Sequence, residues 1–277
     1  MKLRSIIPGD AISSYVHEIV VMEDDRLLQD MTIPLVAKGY PSIVFQSTRK
    51  GGSDRSEVDT LGRAAIHSKG GGAIEQLVLY GQNVQPFQLH ASGNLLVIAY
   101  FLHPYLLKYF FGFNAREIKD LCIDIGVMRP AKSMNLVEQL VNASSLSVRL
   151  QIMDDYVRKL SAASHGRDDK SIIWSTREIV KSQGLVSLKT LQSELCVTER
   201  TFQRLFESHI GVPPKLFRKI CQFNAAFDQF SRGQYKKLSD IAYNHGYSDQ
   251  SHFIRVFKEF TLLTPGDYLA NLPEVQD

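Results

Sequence analysis

The feature that most constrains what this chain can fold into is a duplication in its C-terminal part. Residues 198–206 align with residues 249–257 at an offset of 51, which matches Phe202 with Phe253, Arg204 with Arg255 and Phe206 with Phe257; Pro214 and Pro265 follow at the same offset. Upstream of each turn the offset is 50, with Leu191 opposite Ile241, so the second copy carries one extra turn residue. Each copy reads as a short helix, a tight turn and a second helix, over 188–195 then 199–206 and over 238–245 then 249–257, which is the rhythm of a helix-turn-helix. Phe202, Leu205 and Phe206 share one face of the first second-helix, as do Phe253, Val256 and Phe257 of the other, so those faces belong to a core. What remains to face outward is Arg200, Gln203 and Arg204 in one copy and Gln250, Ser251, His252 and Arg255 in the other.

That set suits a major groove. Arginine pairs bidentately with guanine O6 and N7 and glutamine with adenine N6 and N7, each good pair contributing about 1–3 kcal/mol of base discrimination. An exposed helix of any all-α domain also carries such residues, so spacing alone leaves a solvated face open beside a reading face. Duplication favours reading, because two such units on a rigid connection can enter successive major grooves ~34 Å apart on one face of DNA. Helix caps are expected at Ser187, Thr198, Ser239, Ser248 and Thr264, the last preceding Pro265 at a first helical position.

Net charge agrees in sign but is small. The 277 residues hold 32 Lys+Arg and 29 Asp+Glu, a formal +3. Residues 1–169 hold 18 basic and 18 acidic side chains, and residues 170–277 hold 14 and 11, so the whole excess lies with the duplication. A composition 44% hydrophobic and 22% charged excludes wholesale disorder. The longest apolar run, 95–102, has eight residues, against roughly 20 for a membrane-spanning helix. The first eight residues lack a signal-peptide apolar core, which places the expected location in the cytoplasm.

The first hundred residues read as strands around 42–45, 77–80 and 95–102, separated by turn-forming clusters at 51–54, 70–72 and 91–94. Short strands at this spacing favour a barrel or sandwich. Past His103-Pro104, segments 134–143 and 150–160 read as amphipathic helices, and 161–170, without a large apolar side chain, reads as a linker.

Residues 238–268 carry a longer pattern: Ile241-Ala242, Gly246-Tyr247, Asp249, Ser251, Phe253, Arg255, Phe257-Lys258 and then Pro265 and Tyr268. This resembles the signature of AraC/XylS-type transcription regulators, and residues 191–217 resemble the same family's first helix-turn-helix, so together the likeness covers about 170–272. It implies base or phosphate contacts from Arg200, Gln203, Arg204, Gln250, Ser251, His252 and Arg255. Two residues depart from the family pattern. Leu262 stands where a glycine is usual; a leucine would be strained there if the position demands φ > 0, so a slightly altered turn is the expectation. Gln222 stands where an arginine is common, which weakens one ionic tie between the halves. More loosely, residues 79–86, 101–112 and 115–119 resemble sensor domains of a subgroup of these regulators, which implies a cupin-like β-barrel followed by helices that support dimerisation.

Catalytic chemistry is not indicated. His17, His67, His90 and His103 lack the His-x-His and glutamate spacing of a cupin metal site. Gly70-Gly71-Gly72 has no phosphate-loop context and reads as a hairpin loop. Ser13-Ser14 and Ser144-Ser145 sit in no nucleophile elbow. Cys122, Cys196 and Cys221 have neither zinc nor redox spacing and read as buried or half-buried thiols; Glu23-Asp24-Asp25 reads as a solvated turn, and His103 as the cap of a strand end. Phe45, Tyr80, Phe87 and Tyr100, at alternating strand positions, read as core before ligand wall. The fold class expected is α+β: a cupin-like β-barrel with helices over 1–160, a linker at 161–170, and an all-α domain of two helix-turn-helix units over 171–277. The function expected is a sequence-specific transcription regulator without catalytic role, metal or cofactor. Its partner is double-stranded operator DNA, with a small-molecule effector and a homodimer as further expectations and no membrane. Two readings compete with it, a cupin-type metabolic enzyme with a helical appendage and a helical protein-interaction module.

Overall fold

The computed structural model describes residues 2–24, 31–36, 38–49, 58–59, 75–84, 87–91, 94–164 and 169–270. The N-terminal part contains strands β1 Lys2–Ile6, β2 Val16–Asp24, β3 Met31–Leu35, β4 Ser42–Arg49, β5 Val58–Asp59, β6 Glu75–Tyr80, β7 Phe87–Ala91, β8 Asn94–Leu102 and β9 Cys122–Asp124. Six of them form an antiparallel sheet in the order β1-β2-β8-β4-β6-β9, and the others form a second sheet, β3-β7-β5. The expected barrel is therefore corrected. Closure requires the two edge strands to pair, whereas the large sheet ends in an exposed β1 on one side and a three-residue β9 on the other. The turn-forming clusters at 51–54 and 70–72, with His67, lie outside the described residues.

The central strands β4, β6 and β8 are the three apolar runs seen in the sequence, and they are buried on both faces. Ile98, Tyr100 and Leu102 of β8 join Ile19, Val21, Ile43, Phe45, Leu77 and Leu79 in the main core. Ala99 joins Met22, Val44, Val78 and Tyr80 in a separate cluster on the opposite face. Two-sided burial is why residues 95–102 run apolar without alternation. Phe45 and Tyr100 thus belong to the core beneath the helices; the side chain of Phe87 lies outside the described residues. Burial pushes the Tyr100 phenol far up, and its hydroxyl donates to Asp154 Oδ1 (2.7 Å) on the overlying helix.

Helices α1 Leu106–Phe111, α2 Leu136–Asn142 and α3 Leu146–Ala163 follow, with a 3-10 turn at Ala115–Ile118. Ser145 caps α3, its hydroxyl accepting from Val148 N at 3.3 Å. Helix α3 runs three residues into the segment read as linker, and Asp169 begins the next helix by accepting from Ser171 N and Ile172 N. Glu23 and Asp24 end β2 instead of forming a turn, with Glu23 paired to Arg4 at 3.6 Å. His103 closes the end of β8, its Nε2 3.2 Å from the Ser13 carbonyl. Of the three thiols Cys221 is buried, Cys122 half-buried and Cys196 exposed, so the last departs from the expectation.

The C-terminal part is helical: α4 Lys170–Lys181, α5 Leu188–Glu194, α6 Glu199–Ile210, α7 Pro214–Ser231, α8 Leu238–Asn244, α9 Gln250–Thr261 and α10 Pro265–Ala270. Its two helix-turn-helix units differ in what they pack against. Phe202, Phe206, Ile210 and Phe217 of the first share one continuous core with Leu106, Leu107, Tyr156 and the sheet. The second unit has its own aromatic core of Phe223, Phe230, Phe253, Phe257, Phe260 and Tyr268, in which Phe230 and Phe257 meet edge to face at 4.9 Å.

The loop between β3 and β4 braces α7. Asn224 Nδ2 donates to the Lys38 carbonyl at 2.6 Å, and a Cβ on Gly39 (φ +73) would stand 2.6 Å from Ile220 Cγ2. Beside it His17 stacks on Tyr40 (4.4 Å), His103 stacks on Tyr105 (5.7 Å), and Arg177 of α4 reaches the Tyr105 hydroxyl at 3.4 Å.

Candidate nucleic-acid interface

The residues expected to read DNA are brought onto two matching helices. In α6, the Thr198 hydroxyl accepts from Thr201 N (3.3 Å), and in α9 the Asp249 carboxylate accepts from His252 N (2.8 Å). Both caps fix the entry of a helix whose inward face is phenylalanine, Phe202 and Phe206 in one, Phe253 and Phe257 in the other. The cap of α9 is thus Asp249 instead of the expected Ser248. The backbone bond from His252, assisted by the Ser248 hydroxyl, holds the Asp249 carboxyl below its ordinary value. The Thr264 hydroxyl accepts from Asp267 N at 3.2 Å, as expected, whereas Ser187 stands at the start of α5 without a capping hydrogen bond from its side chain. At α8 the cap is different: Asp240 reaches back to accept from Lys237 N (2.9 Å), so Ser239 lies inside the helix.

With the apolar faces anchored, Arg200, Gln203 and Arg204 are exposed on α6, and Gln250, Ser251 and Arg255 on α9, with His252 half-exposed. Gln203 donates to Glu207 Oε1 at 2.9 Å. The His252 ring stands edge-on to Tyr247 (5.3 Å), with Nδ1 3.2 Å from the Ser248 hydroxyl, which sets its orientation at the first turn of α9. An open depression along α9 lies between Ser251, Ile254, Arg255, Lys258 and Glu259.

Both helices run one turn beyond the sequence-based bounds. That adds Glu207 to the line of Arg200, Gln203 and Arg204, and Lys258 to the line of Ser251 and Arg255. The available signal was the pair of terminators at the offset of 51: Gly211 (φ +92) and Leu262 (φ +65) are the left-handed caps of α6 and α9. The turn at Leu262 is consequently not altered; the leucine adopts the conformation that glycine takes in the first copy.

The two units are joined through α7, 18 residues long and so about 27 Å at 1.5 Å per residue. Gln222 in its middle donates to the His245 carbonyl at 2.7 Å, a neutral hydrogen bond where an ionic tie was expected to be weakened. Among the described residues no helix is long and apolar enough to cross a membrane, and no group of three or more His, Cys, Asp and Glu is placed to hold a metal ion.

A helix-turn-helix domain family matches residues 191–271, and a domain of unknown function (DUF6597) matches residues 4–124. An uncharacterized HTH-type transcriptional regulator of Haemophilus influenzae is 34% identical over 77 residues, 27% of this chain and 26% of that protein, so the likeness spans about a quarter of the relative's length. Among solved structures, ToxT from Vibrio cholerae O395 bound to (E)-4-(8-methylnaphthalen-1-yl)but-3-enoic acid superposes with a TM-score of 0.50 at 15% identity, over 98% of this chain and 99% of that one. The AraC-like transcriptional activator CuxR gives a TM-score of 0.26 at 13% identity, over 82% and 87% of the two chains. At these identities the likeness to ToxT is one of fold.

Proposed function

We propose that the chain is a transcription regulator of the AraC/XylS type, as its helix-turn-helix domain supports, and that it acts by laying α6 and α9 into two adjacent major grooves of an operator. The observation that carries this reading is the repeated presentation: two capped helices, each turned phenylalanine-side inward, each offering Arg and Gln outward, on either side of one 18-residue helix. Arg200, Gln203 and Arg204 then face one groove, and Gln250, Ser251, His252 and Arg255 the next. The lever of about 27 Å suits a repeat of ~34 Å once the two helix-turn-helix corners are added.

The division of labour follows: residues 1–160 sense or dimerise, 161–170 link, and 171–277 bind DNA. The chain has no catalytic part in this scheme and works in the cytoplasm. ToxT was solved with a small aryl-alkenoic acid, and by analogy a small molecule is the effector class here. It acts by binding two arrangements of the N-terminal part unequally, which shifts the population able to hold both reading helices in register.

Selection of bound sequences from random DNA at fixed salt tests the reading. The expected product is a consensus in two blocks about one helical turn apart; a selection that yields none would overturn it. Arg204→Ala and Arg255→Ala should each weaken binding to that consensus by about 1–3 kcal/mol, with loss of preference confined to one block per variant.

A further inference from the structure

The geometry points to Arg116, outside the helix-turn-helix units, as a phosphate-contacting member of the DNA interface. The inference rests on the proposed reading by α6 and extends it to the N-terminal part of the chain.

Arg116 lies in the 3-10 turn Ala115–Ile118, whose Asn114 cap accepts from Arg116 N at 3.3 Å. Ala115 and Ile118 are both buried, Ile118 within the main core, so the turn is a fixed piece of backbone. It is fixed specifically against the end of α6. A Cβ on Gly211 would stand 2.7 Å from the Ala115 carbonyl oxygen, so the two backbones approach as closely as a side chain-free residue allows. The guanidinium is thereby held beside α6, with Arg116 Nη1 3.9 Å from Glu207 Oε2.

Glu207 shows where that cation sits. Arg200, Gln203, Arg204 and Glu207 follow i, i+3, i+4, i+7 spacing and share one helix face; the 2.9 Å bond from Gln203 to Glu207 makes the adjacency concrete. Glu207 is about two turns, or ~10 Å, along the axis from Arg200. A helix whose first turns enter a groove roughly 12 Å wide carries its last turn to the sugar-phosphate wall. A carboxylate there faces phosphates and is repelled unless neutralised. Arg116 supplies the neutralising charge, and its side chain remains 73% exposed. Guanidinium has five donors in a planar fork, so most stay free for a phosphate oxygen.

Measurement of affinity for the selected consensus and for unrelated DNA, as a function of salt, in the full chain, tests this. Arg116→Gln should weaken both by the same factor and reduce the slope of log K against log salt by about 0.9, so that its deficit shrinks roughly 3-fold between about 50 and 200 mM salt. Arg116→Lys should restore most of the slope. In a Glu207→Gln background, Arg116→Gln should still lower the slope; an effect that vanishes there would mean Arg116 acts only through Glu207 and would overturn the contact. Unchanged or tighter binding by Arg116→Gln would also overturn it, making the ion pair a latch on α6, while sequence-specific binding by the parent chain left the proposed function standing. Absence of DNA binding by the parent chain would remove both.

Discussion

Gly211 and Leu262 hold equivalent places, ending α6 and α9 in the left-handed region, and their neighbourhoods make their substitutions act in opposite senses. A left-handed leucine costs roughly 1–2 kcal/mol relative to a right-handed one, and Leu262 is 44% exposed, so little packing offsets that. Leu262→Gly is expected to stabilise the protein by about 1 kcal/mol, read as a rise in the urea midpoint; a fall would show that the leucine packs more than its exposure indicates. Gly211→Ala combines φ +92 with a Cβ 2.7 Å from the Ala115 carbonyl. It should destabilise by more than about 1 kcal/mol and loosen the first unit from the N-terminal core. The left-handed turn at Leu262 runs against the altered turn that the sequence suggests, because a leucine gives no local signal for φ > 0, whereas Gly211 does.

At the scale of elements, α7 matters because it sets the distance and angle between α6 and α9. Its buried side carries Phe217, Ile220, Phe223, Ala226 and Phe230 into two different cores. The hydrogen bond from Gln222 to His245 adds a polar pin between α7 and the turn that leads into α9. Gln222→Ala should cost about 1 kcal/mol of stability. It should also weaken binding to a site with both blocks more than binding to a single block, because only the former depends on the spacing; equal losses on both would show no positioning role. Thr198→Ala removes the cap of α6 and should lower stability by about 1 kcal/mol without changing which bases are preferred. The helices of this half were legible in the sequence because their 3.6-residue periodicity, caps and terminators are local. Asp240 capping α8 from inside the helix was not, since Ser239 advertised itself more strongly.

For the whole molecule, the seam between the sheet and helices α4 and α7 brings together two imidazoles, His17 and the half-buried His103. Burial holds the His17 imidazole below its usual 6.5, Lys38 adding to this while Glu18 and Asp228 oppose it. Burial likewise lowers His103, with Arg177 and His17 adding to it against the Ser13 carbonyl. A depressed histidine takes up its proton more readily when unfolded, so stability is full above about pH 6.5 and is lost as pH falls through the lowered native values. The urea midpoint should therefore drop between pH 7 and 5.5, and the drop should be smaller in His103→Gln; identical pH profiles would remove the seam from the account. Glu18 acts at lower pH, where burial raises its carboxyl but the Lys38 ammonium at 2.6 Å prevails and keeps it below the ordinary value.

The sequence by itself determined which side chains α6 and α9 turn inward and outward. Helical facing depends only on spacing along a few turns, so Phe202 and Phe253 imply the positions of Arg204 and Arg255 wherever the helices are placed. It also located β4, β6 and β8, whose runs are buried on both faces. Tertiary structure alone decided that the sheet stays open, that the first helix-turn-helix unit shares its core with the N-terminal part, and that Arg116 meets Glu207. Each is a contact between segments far apart in the chain, made by shape and burial and by no pattern either segment carries alone. The +3 excess of the C-terminal part thus understates the charge at α6, since a cation of the electrically balanced N-terminal part sits beside it.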